Sequence, residues 1–293
     1  MTDSSADDQI NRGPMLVLVA TPIGNVADIS ARAVAELTAA DSVACEDTRR
    51  TGALFARLEI AHAPFIICNE HTERRAAEEI VSRVARGERV ALVSDAGTPG
   101  VSDPGQRVVE AVLAAGQRVE AIPGPSAALV AVTISGFSTD RFCVEGFLPR
   151  KGAERGARIR ELVAERRTSV LFEAPHRLGR TIDDLTDELG ADRRIVLARE
   201  LTKRFEEIWR GTLTEAVAHV RDVEPRGEYV LVIEGAPAGA ITADMLIEEL
   251  KAEREQGASR RQAVDAVVGS TGAKKRQVYD LALQLDFESA NED

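Results

Sequence analysis

Carboxylates stand in this chain where short apolar runs stop. Glu46-Asp47-Thr48-Arg49-Arg50 follows Ser42-Val43-Ala44-Cys45, Asp95 follows a run at 90–93, and Glu173 follows one at 168–172. A carboxylate at a strand end can take a proton from a weak nucleophile or orient a polar ligand. It can equally cap the helix that comes next, as Asp47 or Thr48 would, and the residues leave both readings open. Cations form a second group. Residues 141–180 hold ten Lys/Arg against five Asp/Glu in a chain of net charge −11. That asymmetry suits a phosphate backbone, with Arg49, Arg150, Lys151 and Lys203 as candidate contacts. The alternative is a solvated helix whose Glu154, Glu161 and Glu165 pair with its arginines. The third group is a set of Gly/Pro loops: Thr21-Pro22-Ile23-Gly24-Asn25, Ser94-Asp95-Ala96-Gly97-Thr98-Pro99-Gly100 and Pro123-Gly124-Pro125-Ser126-Ala127. Gly97 and Gly100 permit positive φ and Pro99 fixes its own, so such loops turn backbone groups toward a ligand or simply reverse the chain.

The elements that must position these residues are legible from hydrophobic periodicity. Buried strands are predicted at 15–20, 42–45, 63–68, 90–93 and 119–122, alternating with helices. One helix starts near Asp28 with Ala33, Val34 and Leu37 on one face. Another turns Ile80, Val81 and Val84 inward and leaves Arg74 and Arg75 exposed, and two more cover 108–113 and 128–134. Asp103, Pro104 and Gln106 fit the N-cap, first position and capping box of the helix after the central loop. Strict alternation implies an α/β fold with a mainly parallel sheet that delivers its loops to one edge, where open α/β proteins bind ligands. The GxGxxG fingerprint is absent, which disfavours the common dinucleotide arrangement. From about residue 137 the pattern changes to a second α/β domain, with strands at 142–147, 168–172, 195–198, 206–209 and 228–233 and two helices. The last segment is helical. Met245, Leu246 and Leu250 share a helix ending near Gly257, Ser259 and Gln262 form a capping box, and a turn at 269–272 precedes a basic-started helix with Val278, Leu281 and Leu285. This resembles a helix-turn-helix or, equally, a plain appendage packing on the body or a second subunit. The expected organisation is a disordered tail over 1–13, domains over 14–122 and 123–237, and a helical segment over 240–287.

Composition narrows the function classes. The chain has 293 residues, 44% hydrophobic and 29% charged, an ordinary soluble balance with a sizeable core. The net acidity argues against a general polyanion binder but not against a local basic surface. No apolar run would span a membrane and no signal-peptide core precedes the first strand, so a cytoplasmic protein is expected. Cys45, Cys68 and Cys143 lack CxxC spacing and read as reduced thiols. Four scattered histidines give no metal pattern.

Eight collinear blocks carry a resemblance: ATPIGN (20–25), CEDTRRT (45–51), SDAGTPGVSDPG (94–105), IPGPSA (122–127), FLPRKG (147–152), EAPHR (173–177), ARELTK (198–203) and GEYVLVIEG (227–235). Over nearly its whole length the chain resembles a family of small-subunit ribosomal RNA methyltransferases within the tetrapyrrole methylase superfamily. The resemblance implies two α/β domains with S-adenosylmethionine (AdoMet) in the cleft between them, no metal, and a homodimer. It implies methylation of a cytidine 2′-hydroxyl in the decoding region of 16S ribosomal RNA, within the small subunit. Asp95 matches the Asp of the superfamily's Gly-Asp-Pro loop, although Ser94 and Ala96 replace its neighbours. Ser126 and Ala127 match a loop contacting the methionine part of the cofactor, and Phe172 and Glu173 match a further cofactor segment. Pro22, Gly24, Ala96 and Thr98, from the Gly/Pro loops, complete the expected cofactor contacts. Methyl transfer is an in-line displacement that needs alignment and a proton acceptor for the hydroxyl. Glu46, Asp47 and Glu173 are the candidates for that role, or only orient the nucleotide. A tetrapyrrole-precursor methyltransferase and a non-catalytic RNA-binding assembly protein are the alternatives. The basic window argues against the first and the cofactor loops against the second.

Overall fold

Five short runs in the first 122 residues pair into one parallel sheet, whose three central strands are largely buried on both faces while the two edge strands are partly exposed. The computed structural model describes residues 13–61, 63–237, 243–273, 275–285 and 287, so all of the expected tail except Gly13 lies outside the described residues. In chain order the sheet and its helices are β1 (Met15–Val19), α1 (Ala31–Ala39), β2 (Ser42–Cys45), α2 (Thr48–Arg57), β3 (Phe65–Ile67), α3 (Glu73–Ala85), β4 (Arg89–Val93), α4 (Gln106–Ala114) and β5 (Val119–Ile122). The strand order is β3-β2-β4-β1-β5. Met15, Val17 and Val19 face α1 and α2, and Leu16 faces α3 and α4, as the period of two requires. The connections leaving the adjacent β1 and β4 run in opposite directions, which opens a crevice at their carboxyl ends. A buried ion pair, Arg89 to Glu36 at 2.7 Å, ties β4 to α1 below that edge.

The second sheet follows α5 (Ala127–Ser135). Its elements are β6 (Phe142–Phe147), α6 (Ala153–Ala164), β7 (Thr168–Glu173), α7 (Pro175–Leu189), β8 (Arg194–Arg199), β9 (Glu207–Thr212), α8 (Leu213–Asp222) and β10 (Tyr229–Ile233). The order is β6-β7-β10-β8-β9, with β6 and β7 parallel and the other pairs antiparallel. α5 covers one face through Ala128, Ala131 and Val132 against Val170, Val196 and Val232. α6, α7 and α8 cover the other, so three helices follow β6 where two were expected.

Residues to Gly235, with both sheets, form one unit, and residues from Ala236 form another. In the latter, α9 (Ala243–Glu255), α10 (Arg260–Thr271) and α11 (Lys275–Ala282) enclose Leu246, Leu250, Val264, Val267 and Val278. Ser259 and Gln262 form the capping box. The turn expected at 269–272 is shorter, because α10 continues to Thr271 and stops at the left-handed Gly272.

Two helix starts also differ. α1 begins at Ala31 because Ser30 accepts the Ala33 N–H, while Asn25 caps a separate single turn at Val26–Asp28. α4 begins at Gln106 rather than beside Asp103. Glu73 of α3 accepts the N–H groups of Gly105 at 2.8 Å and Arg107 at 3.2 Å, so the cap comes from a neighbouring helix. Asp103 is thereby left free of the capping role.

Candidate functional site

The three Gly/Pro loops are sewn together at the sheet edge. Thr21 N–H donates to Gly97 O at 2.8 Å, Gly97 N–H donates back at 3.1 Å, and the Thr21 hydroxyl donates to Ser94 O. The Thr98 hydroxyl donates to Pro125 O at 3.3 Å, joining the central loop to the one after β5. Gly97 and Gly100 hold φ of 86° and 81°, the left-handed region their sequence context suggested. Gly24 has a different reason to be glycine. A Cβ there would lie 2.3 Å from Cγ of Lys203, so its absence lets the segment after β8 close over the loop after β1.

Between these loops and the second sheet lies a cavity of about 310 Å³, with an adjoining space of about 300 Å³. Ile23, Ala96, Lys203 and Glu228 line both. The expected cofactor residues divide between the two. Ala96, Thr98, Ser126, Ala127 and Phe172 line the first, and Pro22, Gly24, Asp95 and Ala96 the second. The first also has apolar walls from Phe147, Leu201 and Val230, with Tyr229 and Asp103 beside them. Two joined spaces with apolar walls and small-residue loops fit a nucleoside at one end and a short charged tail at the other.

The carboxylates have separate roles. Asp95 N–H donates to Glu46 Oε1 at 3.3 Å, Asp47 N–H donates to Asp95 Oδ1 at 3.2 Å, and Arg50 pairs with Asp95 Oδ2 at 3.1 Å. The loops after β2 and β4 are thus stitched in both directions. Asp47 is the N-cap of α2 and is also bound by the Arg49 guanidinium. Those Arg49 bonds, from side chain and backbone, hold its carboxyl at about 2. Burial, with the Asp95 charge nearby, pushes the Glu46 carboxyl up. Glu173 is buried and fully engaged. It accepts from Ala174 N–H, from Arg177 Nε at 3.1 Å and from the Thr181 hydroxyl at 2.6 Å. Its carboxylate shapes the start of α7, with both oxygens accepting hydrogen bonds, and it also lines the cavity.

Asp103 is the carboxyl that sequence reasoning assigned to a cap. It lines the cavity, and burial, with the Glu46 and Asp95 charges adding to it, raises its carboxyl to about 7 in spite of a Ser94 hydrogen bond. Only the Glu73 cap from α3 reveals that Asp103 is spare, and no local pattern carries that information. Tyr229, the first residue of β10, pairs with Glu173 at the end of β7, and the sequence reading did not single it out.

The cations sort as sharply. Lys203 is held by Glu200 at 2.9 Å and Glu228 at 2.8 Å, so it closes the cavity wall and is not an open phosphate contact. Arg49 is exposed and pairs with Asp47. Arg150 and Lys151 are exposed on the loop after β6. In the positive window Arg158 pairs with Glu161 and Arg167 with Glu165, the solvated-helix alternative. Arg155 is buried and bound to Asp184 and Thr181.

Residues 15–217 match the family of Tetrapyrrole (Corrin/Porphyrin) Methylases. Curated relatives include the ribosomal RNA small subunit methyltransferase I of Synechocystis sp., 43% identical over 94% of this chain and 99% of that one. The protein of the same name from Escherichia coli O157:H7 is 40% identical over 94% of this chain and 96% of its own. Among solved structures, the methyltransferase CobJ superposes with a TM-score of 0.59 at 22% identity, covering 76% of this chain and 94% of that one. A uroporphyrin-III C-methyltransferase from Thermus thermophilus, complexed with S-adenosyl homocysteine, superposes at 0.54 with 18% identity, over 75% and 97%.

Proposed function

The chain belongs to the tetrapyrrole methylase family, and from that premise we propose that it is an AdoMet-dependent methyltransferase of small-subunit ribosomal RNA. The observation that carries this reading is end-to-end similarity of about 40% to enzymes of that name. The solved neighbours below 25% identity bear on the fold alone. The methyl acceptor in this proposal is a cytidine 2′-hydroxyl of 16S rRNA in the decoding region. The enzyme acts as a cytoplasmic homodimer, with the lobes 14–122 and 123–237 flanking the cofactor and 240–287 as an appended helical segment.

AdoMet, when bound, supplies a methyl group on a sulfonium that needs no metal to react. The joined cavities suit it. Thr98, Ser126, Ala127 and Phe172 would hold one part, and Pro22, Gly24 and the Asp95 loop the other. The chain's task is then to align donor and acceptor and to take a proton from a ribose hydroxyl. We assign the proton acceptor to Asp103. It lines the cavity, and a carboxyl near 7 is matched to accepting a proton at neutral pH. Glu46 supports it by raising the local negative potential. Asp47, held near 2, is a weak base and serves as a cap.

The test offers labelled-methyl AdoMet with purified small ribosomal subunits, with naked 16S rRNA and with a carboxylate-bearing tetrapyrrole. Label on a cytidine ribose, located by nuclease digestion and mass spectrometry, is the expected outcome. Label on the tetrapyrrole, or AdoMet binding without transfer to RNA, would overturn the proposal.

A further inference from the structure

A second feature adjoins the cofactor cavity. A groove of about 740 Å³ runs beside it, lined by Arg150, His176, Arg177 and Arg180 over a floor of Leu148 and Pro149. Phe147 and Ala174 line both groove and cavity, so the two share a wall. Phe147 is 56% exposed, although it belongs to a strand. Such a ring on a strand end is costly to leave in water without a partner.

Its orientation is built, not accidental. β6 and β7 pair in register from Phe142 with Thr168 to Val144 with Val170, then slip, so that Phe147 pairs with Phe172. The slip is a bulge at Glu145–Gly146. Without it, alternation would place Phe147 on the face of Cys143 and opposite to Phe172. With it, Phe147 packs beside Phe172, centroids 5.6 Å apart and tilted by 46°. Gly146 makes the bulge possible. Its φ is 70°, and a Cβ there would sit 3.0 Å from Oγ of Ser102 in the loop after β4.

The charge of the groove is also arranged. Arg177 is anchored by Glu173 and donates to Leu148 O at 2.6 Å, which fixes the loop that carries Arg150. Arg180 donates to Arg150 O at 3.4 Å, pairs loosely with Asp184 at 3.7 Å and stays 62% exposed. Glu70 is the carboxylate on this lining, against four arginines, of which Arg155 and Arg177 are held by Asp184 and Glu173.

We propose that this groove holds a single-stranded segment of the RNA substrate, with Arg150 and Arg180 on its phosphates and one base stacked on Phe147. This rests on the RNA-methyltransferase reading and names the path by which the nucleotide reaches the cavity. An exposed aromatic beside a cationic track is how single strands are held, because every base offers a π-face and every linkage a charge. Stacking at the shared wall presents the attached ribose to the cavity, where Asp103 stands.

The experiment uses the full chain and a short pyrimidine-rich RNA carrying 2-aminopurine. Phe147→Leu keeps an apolar cavity wall but removes the platform, and Phe147→Trp keeps both. The leucine variant is expected to lose the fluorescence quenching seen with the parent, and to fall about tenfold in RNA affinity and in methyl transfer to small subunits. The tryptophan variant should retain quenching and stay within about threefold of the parent, and calorimetric AdoMet affinity should hold for both. In Arg150→Ala/Arg180→Ala, the slope of log affinity against log salt should flatten by about 1.4, near 0.7 for each lost contact. AdoMet affinity falling in step with RNA affinity in Phe147→Leu would make Phe147 a cofactor wall and overturn the proposal. So would unchanged quenching in that variant, or an unchanged salt slope in the double variant. If the parent quenches and binds the oligonucleotide but transfers no label to small subunits, the methyltransferase reading fails while the groove assignment stands.

Discussion

Replacing Asp103 with Asn tests the site through stability as well as turnover. Burial, together with Glu46 and Asp95, raises this carboxyl from 3.8 to about 7. At about 1.4 kcal/mol per pH unit the rise bounds the cost of ionisation at about 4 kcal/mol. Asp103 is only half-buried, and solvent screening reduces that to about 1–2 kcal/mol. The sign follows from proton counting. Between pH 4 and 7 the folded chain keeps this proton while the unfolded chain releases it, so the Asp103 contribution to stability falls as pH rises and levels off above about 7. Asn carries no such charge. Asp103→Asn is therefore expected to gain stability over the parent as pH goes from 5 to 8, by about 1 kcal/mol, read from urea midpoints at equal m. Its methyl transfer should fall at least tenfold, about 1.4 kcal/mol of lost transition-state stabilisation, and lose the rise in rate through about pH 7 that is expected of the parent. Equal destabilisation of the variant at both pH values would mean that Asp103 is an ionised structural carboxylate, and the reasoning would be refuted. Parent-like turnover alone would leave the burial argument intact and remove the proton-acceptor role.

Asp47→Asn should keep AdoMet affinity and turnover within about threefold, since Asn also caps and the Arg49 pair is exposed; a tenfold loss in a labelled-methyl assay would restore Asp47 as a base. Gly105→Ala forces φ of 141° on a residue whose new Cβ would meet Leu92 Cδ2 at 3.1 Å and Gly100 N at 3.2 Å. It should cost about 1–3 kcal/mol and weaken AdoMet binding, and an unchanged melting curve would contradict the strain argument. Glu36→Ala removes the carboxylate that pairs with the buried Arg89 guanidinium at the base of β4. A loss of about 3–5 kcal/mol in urea unfolding is expected, and a loss below about 1 kcal/mol would show that the arginine relaxes to water.

Periodicity and turn chemistry determined a great deal by themselves. The strands of the first sheet, their alternation with helices and the delivery of Gly/Pro loops to one edge follow from apolar runs of strand length between punctuating residues, because burial on both faces needs only composition. The capping box at Ser259 and the acid–base pairing along α6 are local, so they too were legible. What the tertiary structure decided is which polar groups remain for chemistry. Asp47, Glu46 and Glu173 look alike in sequence, each a carboxylate after a strand. Yet one caps a helix, one bonds the neighbouring loop and one is held by Arg177 and Thr181. Asp103 matched a capping pattern and was released from it by Glu73, which lies thirty residues away in sequence. Lys203 read as an open cation until Glu200 and Glu228 closed on it. Phe147 was set on the cavity face by a single bulge, which shifts alternation by one residue and leaves no trace in hydrophobicity. Strand and helix formation depend on neighbours along the chain, whereas the free valence of a side chain depends on neighbours in space. For that reason the architecture could be read before the structure and the working residues could not.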